Sequence, residues 1–154
     1  MKYTRIFLIA MLSCSLSFCS TIKQGKSSIK QGVFGKVIWM EGNFMPSPDR
    51  LPRQENTAAV RTIHIYKATK LSDTEGEAPL FTKINKELVA KVKTNKAGYF
   101  QCKLAPGKYS IFTLEEENRF FANIFDGEGN ISPFEVKANE VSRYDIRVNY
   151  KAAF

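Results

Sequence analysis

Oxygen-bearing side chains stand at alternate positions in Asp126-Gly127-Glu128-Gly129-Asn130. Hard cations such as calcium need several oxygens around a tight bend, and this spacing offers them. The EF-hand form is not met. Ile131 stands where that loop needs glycine, and no bidentate glutamate follows at the twelfth position. A glycine-rich turn accounts for the same residues. Asp126, Glu128 and Asn130 are therefore weak metal candidates, and no cofactor is expected. The chain has one histidine, His64, in Thr62-Ile63-His64-Ile65-Tyr66. Alternation with two isoleucines predicts that its ring points outward beside Tyr66 rather than serving as a base. Cys102 shares a strand face with Phe100 and Leu104 and reads as a small buried hydrophobe. A catalytic thiolate would need a cationic neighbour and solvent access. With no nucleophile–base pair in view, the chain does not read as an enzyme. Glu115-Glu116-Glu117 reads as the solvated end of a hairpin.

Binding chemistry is better represented. Three prolines, Pro46, Pro48 and Pro52, break residues 41–57 into a long connection (EGNFMPSPDRLPRQENT). Loops of this length in a small domain are often functional. Phe44 and Met45 are apolar anchors on it, and Arg50 and Arg53 add charge, which makes these four the candidate partner-binding residues. A passive crossover, with Phe44 and Met45 capping the core, is the competing reading. Trp39, Phe44, Tyr66 and Tyr150 could instead form a ring platform for a carbohydrate. The net charge is +8, from 23 basic and 15 acidic residues. Because the lysines and arginines are scattered rather than focused, nucleic acid is not the expected partner.

The N-terminal segment carries an export address. Lys2 and Arg5 precede the apolar run of residues 6–12 (IFLIAML), too short to span a bilayer but suited to a secretory signal over residues 1–19. Leu16-Ser17-Phe18-Cys19 resembles a lipobox, in which Cys19 would become the lipidated first residue of the mature chain, although Phe18 departs from the small residue usual before the cysteine. Cys14 after Ser13 is the less favoured alternative, and simple cleavage before Ser20 is a third. Residues 20–32 are rich in Ser, Lys, Gln and Gly and read as a flexible linker. An exported lipoprotein at the outer membrane or cell surface is expected, with a periplasmic or secreted form as the alternative. Its expected partners are the membrane, through the lipid, and another envelope protein or a glycan. After Cys19 only Cys102 remains, so no intramolecular disulfide can form.

The elements that would position these residues are strands. Residues 33–39, 59–68, 88–94, 99–104, 108–114, 120–125, 131–136 and 141–150 alternate apolar and polar positions or form short apolar runs. In the last, Tyr144, Ile146, Val148 and Tyr150 share one face. Turn residues separate these runs, as at Lys96-Ala97-Gly98, Ala105-Pro106-Gly107 and residues 137–140. Residues 80–88 are ambiguous between helical turns and strand. The composition, 44% hydrophobic and 25% charged, is that of a globular domain. One all-β domain over residues 33–154 is expected, an antiparallel sandwich of seven to eight strands of transthyretin-like or immunoglobulin-like shape.

Residues 94–109 read TNKAGYFQCKLAPGKY. The pattern G-Y-F-x-x-x-L-x-P-G-x-Y resembles the signature of carboxypeptidase regulatory-like domains, transthyretin-like sandwiches of exported bacterial proteins. The opening VFGKVIW, with Gly35, is similar to that family's first strand. Gly98 would turn the chain into a strand of Phe100, Cys102 and Leu104, and Pro106-Gly107 would close a hairpin returning through Tyr109 and Ile111. The resemblance implies a structural or binding role. Hydrolytic relatives of that fold use several histidines and a C-terminal Tyr-Arg-Gly-Ser, whereas this chain has only His64 and ends Tyr150-Lys151-Ala152-Ala153-Phe154. Related adhesin repeats join a lysine to an asparagine. Lys36 and Asn149 sit in the corresponding first and last strands, but the motif over residues 99–109 has no acidic residue to promote that bond.

Overall fold

A computed structural model describes residues 25–45 and 57–154. Cys14, Cys19, Arg50 and Arg53 lie outside the described residues, as do the signal, the start of the linker and residues 46–56 of the long connection.

The chain forms twelve strands: β1 (Gly32–Asn43), β2 (Thr57–Ala58), β3 (Thr62–Lys67), β4 (Thr74–Glu77), β5 (Leu80–Ile84), β6 (Leu88–Lys93), β7 (Tyr99–Cys102), β8 (Gly107–Leu114), β9 (Phe120–Phe121), β10 (Pro133–Val136), β11 (Val141–Arg143) and β12 (Ile146–Ala153). They make a sheet of five strands facing a sheet of seven, which is the expected β-sandwich. Several strands are only two to four residues long, so their number exceeds the seven or eight expected. Of residues 80–88, Leu80–Ile84 form strand β5, paired with β4 in a hairpin that the sequence did not reveal, and Leu88 begins β6.

The smaller sheet is built on β1. Its start pairs with β11 and β7, and its end with β12 and β2. β7 and β2 run antiparallel to it, whereas β11 and β12 run parallel. The sandwich is thus mixed and not purely antiparallel. The whole domain separates β1 from β12, which leaves ample chain for the crossover that a parallel pair requires. The expected strand over residues 141–150 is interrupted at Tyr144-Asp145. There the Asp145 carboxylate accepts the Lys36 backbone N–H at 3.0 Å, replacing a ladder bond.

The larger sheet is centred on β8, which pairs with β3 on one side and with β9 and β10 on the other. The expected hairpin across Pro106-Gly107 does not exist. β7 belongs to the smaller sheet and β8 to the larger, so residues 103–106 cross between sheets. Tyr109 secures the crossing by donating its hydroxyl to the Ala105 carbonyl at 2.9 Å. The four residues assigned to that hairpin are nonetheless all core. Phe100, Leu104, Tyr109 and Ile111 meet in the cluster between the sheets, with Val33, Val37, Ile63, Ile65 and Val148. Alternation correctly marks the inward face; which strand lies alongside which is decided by tertiary packing.

A second cluster covers the opposite face of the larger sheet. Tyr66, Phe81, Phe112, Ala122 and Ile131 form it, with Ile84 and Phe120 against them. The β4–β5 hairpin and residues 120–131 fold over that face. The run over residues 120–125 is strand only at Phe120–Phe121, and Ile124 and Phe125 are exposed. At the start of the domain, Ile29 is buried and Ser28 and Gln31 are bonded to Gln101 and Leu104. Residues 28–31, expected in the linker, are therefore docked on the domain.

Candidate functional site

The end of the sandwich opposite the start of β1 gathers the most elaborate side-chain chemistry. Glu115, at the end of β8, is buried and not a solvated hairpin end. Its carboxylate accepts Arg61 Nε at 3.0 Å, the Thr113 hydroxyl at 2.8 Å and the Tyr150 hydroxyl at 3.1 Å. Polar groups taken from water need such partners, because a lone buried charge is costly. Burial and the adjacent Glu115 charge raise the Tyr150 hydroxyl to about 12, so it remains a donor at neutral pH. These contacts tie β12 of one sheet to β8 of the other.

Trp39 lies over this network. Its ring meets Tyr150 edge-on, with centroids 5.2 Å apart and planes at 80°. Arg61 and Lys151 approach the indole at 5.2 and 5.7 Å, and Nε1 donates to Glu41 at 3.0 Å. Cation–π contacts of this kind hold the ring in place. The perpendicular rings leave Trp39 and Tyr150 without a common flat surface for a sugar. Tyr66 cannot join such a platform either, since it is buried against Phe112 and Phe120. Phe44 and Met45 lie at this same end. Phe44 is half-buried and stacks on Phe154 with centroids 5.4 Å apart, and Met45 is 56% exposed. Of the sequence candidates, the structure joins Trp39 to Tyr150 and sets Phe44 and Met45 just past the end of β1, with Phe44 against Phe154. Glu115 and Arg61 were missed, because a charged residue in a glutamate run carries no sign of burial.

His64 also departs from expectation. It does face away from the inter-sheet core, but the second cluster covers that face and the residue is only 5% exposed. Its Nδ1 lies 3.4 Å from the Tyr66 hydroxyl and its ring 5.2 Å from Phe120. The missed signal was an apolar or aromatic residue on both faces of adjacent strands, in Ile63-His64-Ile65-Tyr66 and Ile111-Phe112. Such runs mark strands covered on two sides. Burial, reinforced by the Lys91 charge, lowers the His64 pKa from 6.5 to about 4. The unfolded chain therefore takes up the proton more readily than the folded one. Stability is expected to be complete above pH 6.5 and to fall as the pH drops towards 4, by up to about 3 kcal/mol. Urea midpoints of the protein and of His64→Phe across that window check this. Parallel profiles for the two would remove His64 as the source.

The remaining candidates are structurally occupied. Asp126 Oδ1 accepts the backbone N–H groups of Glu128 and Asn130 at 2.9 and 2.8 Å, and Oδ2 accepts the Asn130 side-chain amide at 2.7 Å. Hydrogen bonds from Asn130 hold its carboxyl below the ordinary aspartate range. The carboxylate thereby closes its own turn. Cys102 faces the inter-sheet core as its alternation predicts but is only half-buried there, and it sits in the sheet opposite His64. Lys36 Nζ lies over the Tyr99 ring at 5.4 Å, while Asn149 accepts from Asn123 at 2.8 Å, so these two side chains are not joined. Among the described residues, no helix is long and apolar enough to cross a membrane. Comparison with protein-family models, curated proteins and solved structures finds no match for this chain.

Proposed function

We propose that this chain is a non-catalytic binding or scaffold module of the bacterial envelope, a carboxypeptidase regulatory-like sandwich anchored through lipid on Cys19. It presents the Phe44 end of the sandwich to another envelope protein. The polarity of β1 carries this reading. The chain docks on the domain through residues 28–31 and enters β1 at Gly32, and the twelve residues of β1 carry it to Asn43, with Phe44 and Met45 just beyond, at the far end. At about 3.3 Å per residue the two ends are roughly 40 Å apart. An anchor preceding residue 28 would hold the near end toward the membrane and leave Asn43, Phe44 and Met45 outermost. Exposed apolar side chains there, Met45 and Phe154 above all, are natural contact anchors.

Mass spectrometry of the membrane fraction is expected to find an acylated Cys19 as the mature N-terminus. An unmodified terminus at Ser20 in the soluble fraction would refute anchoring. Replacing residues 44–53 with a Gly/Ser linker should abolish capture of the partner in cross-linked pulldowns from native envelopes while membrane attachment survives. Retained capture would place the interface elsewhere. Unfolding would show instead that Phe44, through its stack on Phe154, caps the core. A glycan array on the same variant tests the carbohydrate alternative.

A further inference from the structure

The near end of the sandwich gathers four lysines on neighbouring segments. Lys30, Lys103, Lys108 and Lys137 are all exposed on the segments that converge at the start of β1. Glu135 and Glu140 are the carboxylates on those same segments. Ion pairs among the described residues join Arg61 to Glu115, Lys83 to Glu75, Lys86 to Asp73, Arg119 to Glu117 and Arg143 to Asp145. None involves these four lysines. Lys67 adds a further cation nearby, over the ring of Tyr109 at 5.6 Å, with Glu87 bonded to its backbone through a carbonyl. At the far end Arg61 and Arg119 are paired with glutamates, and Lys151 stands over the Trp39 ring.

A concave surface lies within this basic end. An open groove of about 610 Å³ runs between residues 28–31 and 103–105, with Lys30 on one wall and Lys103 on the other. Hydrogen bonds fix both walls. Gln31 donates to the Leu104 carbonyl at 2.8 Å, Gln101 donates to the Ser28 hydroxyl at 2.6 Å, and the Ser28 N–H returns to Gln101 at 2.9 Å. Buried Ile29 holds the first wall down on the domain. The groove is therefore shaped before anything enters it, and little ordering entropy opposes occupancy.

We propose that this groove and the lysines around it seat the phosphate-bearing headgroups of an anionic phospholipid surface. The inference rests on the anchored reading for its orientation, since the end bearing the groove is the one at which the chain enters from its N-terminal side. Lysine is a compact point charge suited to phosphate. Each lysine near an anionic membrane surface strengthens binding about fivefold.

Residues 20–154 contain all twelve strands and both core clusters, so this piece is suited to the test. It carries no acylated cysteine, which separates the outcome from the question of lipidation at Cys19. The piece should co-sediment with phosphatidylcholine vesicles containing phosphatidylglycerol and remain in solution with phosphatidylcholine alone. Lys30→Gln with Lys103→Gln should weaken that binding about 25-fold. Lys93→Gln with Lys96→Gln, an equal charge change toward the other end, should weaken it far less. Circular dichroism melting curves should be unchanged in both variants. Equal binding to the two vesicle types, or equal loss in the two variants, would overturn the proposal. Release by inorganic phosphate at matched ionic strength would reduce the groove to an ion site, and tighter binding to single-stranded DNA than to vesicles would assign the patch to nucleic acid; either result overturns the lipid surface.

Discussion

Phe100→Ala is expected to lower the unfolding free energy by about 3–5 kcal/mol. Phe100 is completely buried in β7, within the cluster that both sheets share. Truncation removes the transfer free energy of the ring and leaves a void that close-packed neighbours fill only in part. A small domain has about 5–15 kcal/mol in total, so the variant should be marginal at ambient temperature. The melting temperature should fall by roughly 10–20 °C. In urea the midpoint should fall with the slope unchanged, because the area exposed on unfolding is nearly the same. A melting temperature equal to that of the unaltered protein would contradict the inward face assigned to β7. Exposed Leu71→Ala is the matching control, with an expected change within about 0.5 kcal/mol.

Gly35→Ala should be as damaging, for a different reason. Gly35 sits in β1 opposite Phe100, at the place where β11 gives way to β12. A Cβ on Gly35 would overlap the Tyr144 carbonyl oxygen and meet Phe100 Cε1 at 3.0 Å. The obstacle is backbone, and Tyr144 is itself held by its N–H bond to the Phe34 carbonyl at 2.9 Å. No rotamer change can relieve the clash. Overpacking commonly costs about 1–3 kcal/mol, and a backbone clash at the join of two strands should reach or exceed the top of that range. The loss should appear as a lower urea midpoint, with hydrogen exchange accelerated first at the β1–β11 and β1–β12 pairs. Undiminished stability would mean that residues 144–145 can swing clear of β1.

Much of the fold was legible in one dimension. Period-two alternation is a property of the strand itself, and it located β1, β3, β6, β7, β8, β10 and most of β12 within a few residues. It also identified Phe100, Leu104, Tyr109, Ile111, Ile146 and Val148 as facing the inter-sheet core. Turn chemistry was equally local. The Asp126 side chain bonds amides two and four residues ahead, so the turn reading needed no knowledge of distant residues.

Pairing was not legible. Pro106-Gly107 suits a hairpin, yet the chain there crosses between sheets, because β7 gains a ladder with β1 and β8 gains one with β3. Both partners are remote in sequence, and nothing local ranks them against a hairpin neighbour. The parallel register of β1 with β12 is hidden for the same reason.

Of the candidate site, Phe44 and Met45 could be picked out as apolar residues on a polar connection, but their setting against Phe154 depends on the parallel pairing of the first and last strands. His64 and Glu115 show the limit most clearly. Alternation correctly placed His64 opposite Ile63 and Ile65, and then assumed that the opposite face met water. Whether it does depends on the β4–β5 hairpin and residues 120–131 folding across it. Glu115 is buried because Arg61, Thr113 and Tyr150 converge on it from three strand ends or their flanks. The strand period and residue type by themselves determined the β class, the inward faces and the turns, since each arises within a few residues of chain. Tertiary structure alone decided which polar groups are buried, because burial and its compensating hydrogen bonds depend on what distant segments lay over them.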